Sequence, residues 1–170
     1  MTHTYSINTT RFGELFYNEE DVIVFPRGIP GFERNHNWAI TGDEESVVKW
    51  LQSLDDSELA LPITTPDIVM PEYNARIPDD EIELLGEIQS NDDLALLSVV
   101  SIPPSAPWDM TINLRAPILV NVKTKKAAQV IVLNEDYPLR HPIFSETIRA
   151  DMKAKAKESQ EKESQEAEQC

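Results

Sequence analysis

MTINLRAPILVNVKTKKAAQVIVLNEDYPLRHPIF, residues 110–144, is the stretch whose pattern decides the fold. From Met110 to Val122 the even positions are all apolar: Met110, Ile112, Leu114, Ala116, Ile118, Val120 and Val122. The odd positions, Thr111, Asn113, Arg115, Pro117, Leu119, Asn121 and Lys123, are mostly polar. This is the period-2 alternation of a strand with one buried face. A straight strand of that length would span roughly 43 Å at about 3.3 Å per residue, too long for a small domain. It should therefore bend, and Pro117 is the expected corner, because proline gives no N–H to a ladder. Lys123–Lys126 reads as a polar turn and Ala127–Leu133 as a returning strand. A long, bent hairpin is the expected spine, with the apolar face running through the bend rather than ending there.

The same residues carry a resemblance. Asn113-Leu114, Ala116-Pro117-Ile118 and Asn121, then Gln129 and Ile131, then Tyr137-Pro138 and Arg140-His141-Pro142, resemble the second half of the flagellar assembly factor FliW family. Phe25-Pro26, Gly28-Ile29-Pro30-Gly31-Phe32, within Asp21–Phe32, is similar to that family's N-terminal signature. Leu51–Asp56 followed by Leu59-Ala60 resembles the segment between them. The likeness spans roughly residues 5–144, with its three motifs in order. The family pattern has a proline near Ser57 and an aromatic residue near Leu61, and this chain has neither.

At 170 residues with 41% hydrophobic content, the chain suits one folded domain rather than a disordered one. It has no apolar run near the roughly 18 residues a membrane span needs. Met1–Tyr5 lacks the basic region and apolar core of a secretory leader. Cys170 is the one cysteine, which excludes an intrachain disulfide and fits a reducing compartment. A cytoplasmic protein without membrane contact is the expectation. The net charge of −15 is concentrated: residues 41–100 hold fifteen acids against Lys49 and Arg76, a local balance of −13. Such a surface repels nucleic acid and attracts basic proteins, chiefly through encounter rate and orientation.

Taken in order, Tyr5–Phe16 reads as an edge strand in which Gly13 allows a bulge. Val22–Phe25 reads as a short central strand, and Pro26–Gly31 as a rigid loop. Gly28 and Gly31 lack the glycine pattern, lysine and following helix of a phosphate loop. Trp38–Ile40 and Val47–Leu54 read as strands about a charged turn. Leu59–Thr64 carries Pro62 and should lie at an edge. Pro78–Gly86 is the best short helix, with acids at its start and glycine at its stop. Asp92-Asp93 opens a central strand, Leu94–Ile102, and Pro103–Pro107 forces an extended loop. Many short strands with much turn chemistry predict an all-β, antiparallel, barrel-like sheet with one short helix over residues 1–144. Residues 145–170 read as a charged helical or disordered tail, a solvated helix at most, frayed or disordered beyond about Ala156.

Catalytic signals are weak. His3, His36 and His141 show no metal-ligand spacing. The adjacent pairs Asp55-Asp56, Asp79-Asp80 and Asp92-Asp93 read as turn and cap residues. Trp38 and Trp50 read as core, and Trp108 as the tryptophan left exposed; together they admit a carbohydrate-binding β-module as the alternative. The FliW resemblance implies instead a non-enzymatic factor without cofactor, monomeric when free, with two protein partners. These are flagellin, held before export, and the RNA-binding translational repressor CsrA, which the factor antagonises so that flagellin synthesis is released. The candidate partner-binding residues are the acids Glu44, Glu45, Asp79, Asp80, Glu81, Glu83, Asp92 and Asp93.

Overall fold

The computed structural model describes residues 4–168. The leader reading at Met1–His3 and the cysteine at 170 therefore lie outside the described residues. Its strands are β1 (Thr4–Thr9), β2 (Gly13–Asn18), β3 (Ile23–Val24), β4 (Asn37–Thr41), β5 (Lys49–Ser53) and β6 (Ala60–Thr64). After helix α1 (Asp79–Glu83) come β7 (Leu94–Ser101), β8 (Thr111–Ile112), β9 (Ile118–Asn121), β10 (Lys126–Gln129) and β11 (His141–Pro142), then helix α2 (Glu146–Glu168).

Seven strands close on themselves in the order β7-β6-β5-β4-β3-β10-β9, with β9 pairing back onto β7. Closure removes the exposed edges that short strands would otherwise present. All pairings but one are antiparallel. The exception is β3 with β10, a single parallel bridge between Val24 and Lys126. The bridge ends there because Phe25 turns away: its carbonyl accepts from Gly28 N–H at 2.9 Å, and Pro26 has no N–H to offer β10. Gly28 is required in this turn. Its φ is +68°, and a Cβ would lie 2.6 Å from the Glu33 Cα.

Inside the barrel Phe25, Trp38, Leu51, Ile63, Ile118, Val120 and Ala127 form the core. Phe25 and Trp38 meet edge to face, ring centroids 6.1 Å apart. A second cluster lies on the outer wall, where Leu119, Ala128 and Val130 are covered by Leu85, Ile77 and Ile82. So β9 is buried on both faces, and Leu119, the apolar residue in the polar phase of the spine, is what seats the α1 segment.

The spine is not one strand. Residues 113–117 form no ladder, so β8 and β9 are separate strands facing successive parts of β7. The expectation of an unbroken strand through Pro117 is overturned. The break begins at Asn113, whose Oδ1 accepts from the N–H groups of Arg115 (3.1 Å) and Ala116 (2.9 Å). This local side-chain turn competes with the ladder. Tyr73 fastens the bend by donating to the Leu114 carbonyl at 2.7 Å, and burial pushes its hydroxyl pKa up to about 12. The apolar phase survives the break, since Ile112, Leu114 and Ile118 are all fully buried.

Three further expectations are corrected. Tyr5–Phe16 is not one bulged strand but the β1–β2 hairpin, which pairs with no other strand. Leu59–Thr64 is no edge: β6 lies between β5 and β7. Pro62 is tolerated because β6 pairs with β7 only at Ile63 and Thr64. The tail is helical through Glu168 rather than frayed after Ala156. Its Ala, Glu, Lys and Gln content favours helix at every turn, and Lys155 pairs with Asp151 one turn back.

α2 packs against the turn Pro107–Asp109 and leaves Ile148 about half exposed. With so little apolar cover at stake, truncation after Phe144 should leave the melting temperature within a few degrees and unfolding cooperative. A broad, non-cooperative melt of the truncated chain would show that α2 belongs to the core.

Candidate functional site

The strand directions gather the polar turns at the two ends of the barrel. One end collects the turn before β3, the β4–β5 turn, the turn before β7 and the β9–β10 turn. It therefore brings together Glu19, Glu20 and Asp21, then Asp43, Glu44 and Glu45, then Asp92 and Asp93. At the same end Lys49 opens β5, and Lys123 and Lys125 lie in the β9–β10 turn. Among these acids the barrel opens into a cavity of about 310 Å³. Its wall is apolar, with Ile23, Ile40, Ala95, Leu97, Val120 and Val122, and Glu20, Asp21 and Lys125 complete its lining.

The other four candidate acids stand on the wall. α1 runs toward the acidic end, its first turn anchored by the Arg27–Glu81 ion pair and its far end by Thr124, whose hydroxyl donates to the Leu85 carbonyl at 2.7 Å. Gly86 closes it at φ +101°, where a Cβ would come within 2.8 Å of the Thr124 side chain. With Leu85 buried, Asp79, Asp80 and Glu83 face solvent. The eight residues thus divide into a wall group and an end group, joined by the chain from Gly86 to Asp92.

Two of the eight are committed to structure. Glu81 is half-buried and paired with Arg27. Asp93 is buried, and its carboxylate accepts from the N–H groups of Gln89 (2.8 Å) and Ser90 (3.3 Å), with the Lys123 ammonium 3.6 Å away. The Gln89 N–H bond, with help from Ser90 and Lys123, outweighs desolvation and holds the Asp93 pKa below the ordinary carboxylate range. A depressed folded-state pKa adds stability above the unfolded value and loses it as pH falls through the folded one. Asp93→Asn should therefore flatten the acid limb of the stability curve below about pH 4. An unchanged limb, measured by denaturant titration at several pH values, would show that the carboxylate charge is irrelevant there.

Glu19, Glu20 and Asp21 add to the expected residues, since they lie outside the acidic window at 41–100 and only the fold brings them to the same end. The signal that could have found them is their run of three consecutive acids just before the first core strand. Other chemistry does not assemble. Among the described residues no three of His, Cys, Asp and Glu lie together as a metal site. His36 and His141 each engage a backbone carbonyl, at 2.9 and 2.8 Å. Trp38 is fully buried, and Trp50 is covered by Arg11 at 4.1 Å and by the edge of Phe12. Trp108, expected to be exposed, is half-buried in the turn against which α2 packs. The three tryptophans form no shared platform.

Known proteins share this architecture. The family model described as FliW protein matches residues 6–143. The chain is 41% identical over 145 residues to the flagellar assembly factor FliW of Thermotoga neapolitana, covering 85% of this chain and 97% of that one. It is equally 41% identical over 142 residues to the namesake from Caldanaerobacter subterraneus subsp. tengcongensis, covering 82% and 93%. A crystal structure of the flagellar assembly factor FliW superposes with a TM-score of 0.75 at 31% identity, covering 84% of this chain and 99% of that chain.

Proposed function

Since the chain belongs to the FliW family of flagellar assembly factors, we propose that it acts in the cytoplasm, without catalysis, by binding flagellin before export and by antagonising the translational repressor CsrA. The observation that carries the second half is the acidic barrel end. A repressor that holds RNA presents a basic surface to phosphate, and a dense acidic field speeds and orients the approach of such a protein. The apolar mouth at that end offers what charge alone lacks, a place to bury a side chain and slow dissociation. An acidic body bound beside an RNA site also repels the phosphate backbone.

Linkage supplies the regulatory logic. If flagellin and CsrA weaken each other's binding, they do so by the same factor. Export of flagellin then frees the factor to take up CsrA, and repression of flagellin synthesis lifts. Isothermal titration with purified flagellin and purified CsrA tests this directly. Saturable binding of each, with the affinity for one reduced by saturation with the other, is expected. Failure of both to bind would overturn the reading.

A further inference from the structure

The β1–β2 hairpin stands apart from the barrel as a sheet of two strands, paired without a bulge from Thr4↔Asn18 to Thr9↔Gly13. A lone two-stranded hairpin is marginal in water, and a third strand or a packed face is what stabilises one. Here the hairpin is strapped at its ends. At the tip, Thr10 N–H donates to the Ser57 carbonyl at 3.1 Å, and Phe12 packs edge-on against Trp50, which Arg11 covers. At the base, Tyr5 stacks on Tyr17 and donates to Glu19 at 3.1 Å. Ile7 and Leu15 turn inward and are half-buried, while Ser6, Asn8 and Phe16 face solvent, Phe16 at 64% exposure.

The two outer edges differ. β2 carries Glu14 and runs straight into Glu19, Glu20 and Asp21, and charge of this kind is a usual protection against strand pairing. β1 reads Thr-Tyr-Ser-Ile-Asn-Thr, with no charge, no proline and no bulge. Among the described residues it has none of the devices that blunt an edge. Its outer row of N–H and C=O groups is a template for an added strand.

We propose that the outer edge of β1, Thr4–Thr9, takes an extended, uncharged segment of the exported partner by strand addition, completing a three-stranded sheet. The assignment rests on the reading that flagellin is a partner. Charge selects the occupant. A second copy of this chain brings a further net charge of −15 and is repelled. A basic partner is drawn to the acidic barrel end and wall, leaving the neutral edge to a neutral strand.

Two measurements test the site. In wild-type protein, hydrogen exchange of the β1 amides should slow on adding flagellin and stay unchanged on adding CsrA. In the double variant Ser6→Lys/Asn8→Lys, whose side chains are exposed, flagellin affinity should fall roughly tenfold or more, with CsrA affinity and melting temperature unchanged. If wild type binds flagellin but β1 exchange is unaltered, the edge site is wrong while the family reading stands. Equal affinity of the folded variant for flagellin would overturn it too. A wild type that binds no flagellin removes the cargo reading, and this site with it. Self-association lost in the variant, seen by sedimentation, would identify a second copy as the occupant and overturn the proposal.

Discussion

Trp38→Ala should destabilise this protein more than any surface change, by about 3–5 kcal/mol. Trp38 lies on β4 with no exposed surface, in the middle of the barrel core. Its indole N–H donates to the Asn35 carbonyl at 3.1 Å, and its ring meets Phe25 edge to face. Truncation removes the ring, leaves a cavity that a closed barrel cannot collapse, and strands the Asn35 acceptor. At roughly 2–4 °C per kcal/mol for a chain of this size, the melting temperature should fall by roughly 6–20 °C. Ile131→Ala is the control. Ile131 is 69% exposed, so the change should stay within about 0.5 kcal/mol. Comparable losses from both would mean that the barrel interior is not the stability core.

The two-residue period of 110–122 made the all-β class legible, because alternation reports one buried face whatever the strand pairs with. What it could not report was continuity. The Asn113 turn leaves the alternation intact: Ile112, Leu114 and Ile118 are fully buried before, within and after it. Period alone therefore could not separate one bent strand from two. Pro62 misled for a related reason. A proline forbids one hydrogen bond, not a whole strand, and β6 keeps β7 only for the two residues beyond it. The α1 segment was readable from its acids and Gly86, but its seat was not. Leu119 looked like an exception to the polar phase and proved to be the anchor.

The acidic surface was legible in composition and scattered in place. Asp79, Asp80 and Glu83 stand together because a short helix keeps neighbours in sequence close in space. Glu44, Glu45 and Asp92 share an end with Glu19–Asp21 only because the barrel strands, antiparallel at every pairing but β3–β10, return these turns to one end. No local pattern encodes that closure. Asp93 shows the opposite failure. Its neighbour Asp92 is solvent-facing, while Asp93 is buried and bound to two backbone N–H groups. Adjacent acids of equal charge thus differ in place, one open to solvent and the other spent on architecture.

Association with CsrA should slow by roughly tenfold or more between about 0.05 and 0.5 M salt, as the screening length falls well below 10 Å. The acids expected to act are those with free carboxylates at the end and on the wall: Glu20, Glu44, Glu45, Asp79, Asp80, Glu83 and Asp92. Steering acts on encounter, so the association rate should carry most of the change and the dissociation rate little. Asp80→Lys/Glu83→Lys and Glu44→Lys/Glu45→Lys separate the wall from the end. Each pair should slow CsrA association and flatten its salt dependence, while flagellin binding changes less, since an exported filament protein need not be basic. Asp93→Asn should do neither, because its charge is spent on Gln89, Ser90 and Lys123. If only the end pair slows association, CsrA approaches the barrel mouth. If only the wall pair does, it approaches α1. A rate flat across the salt range, with both reversals silent, would leave these acids as solubilising and helix-capping groups with no part in recognition.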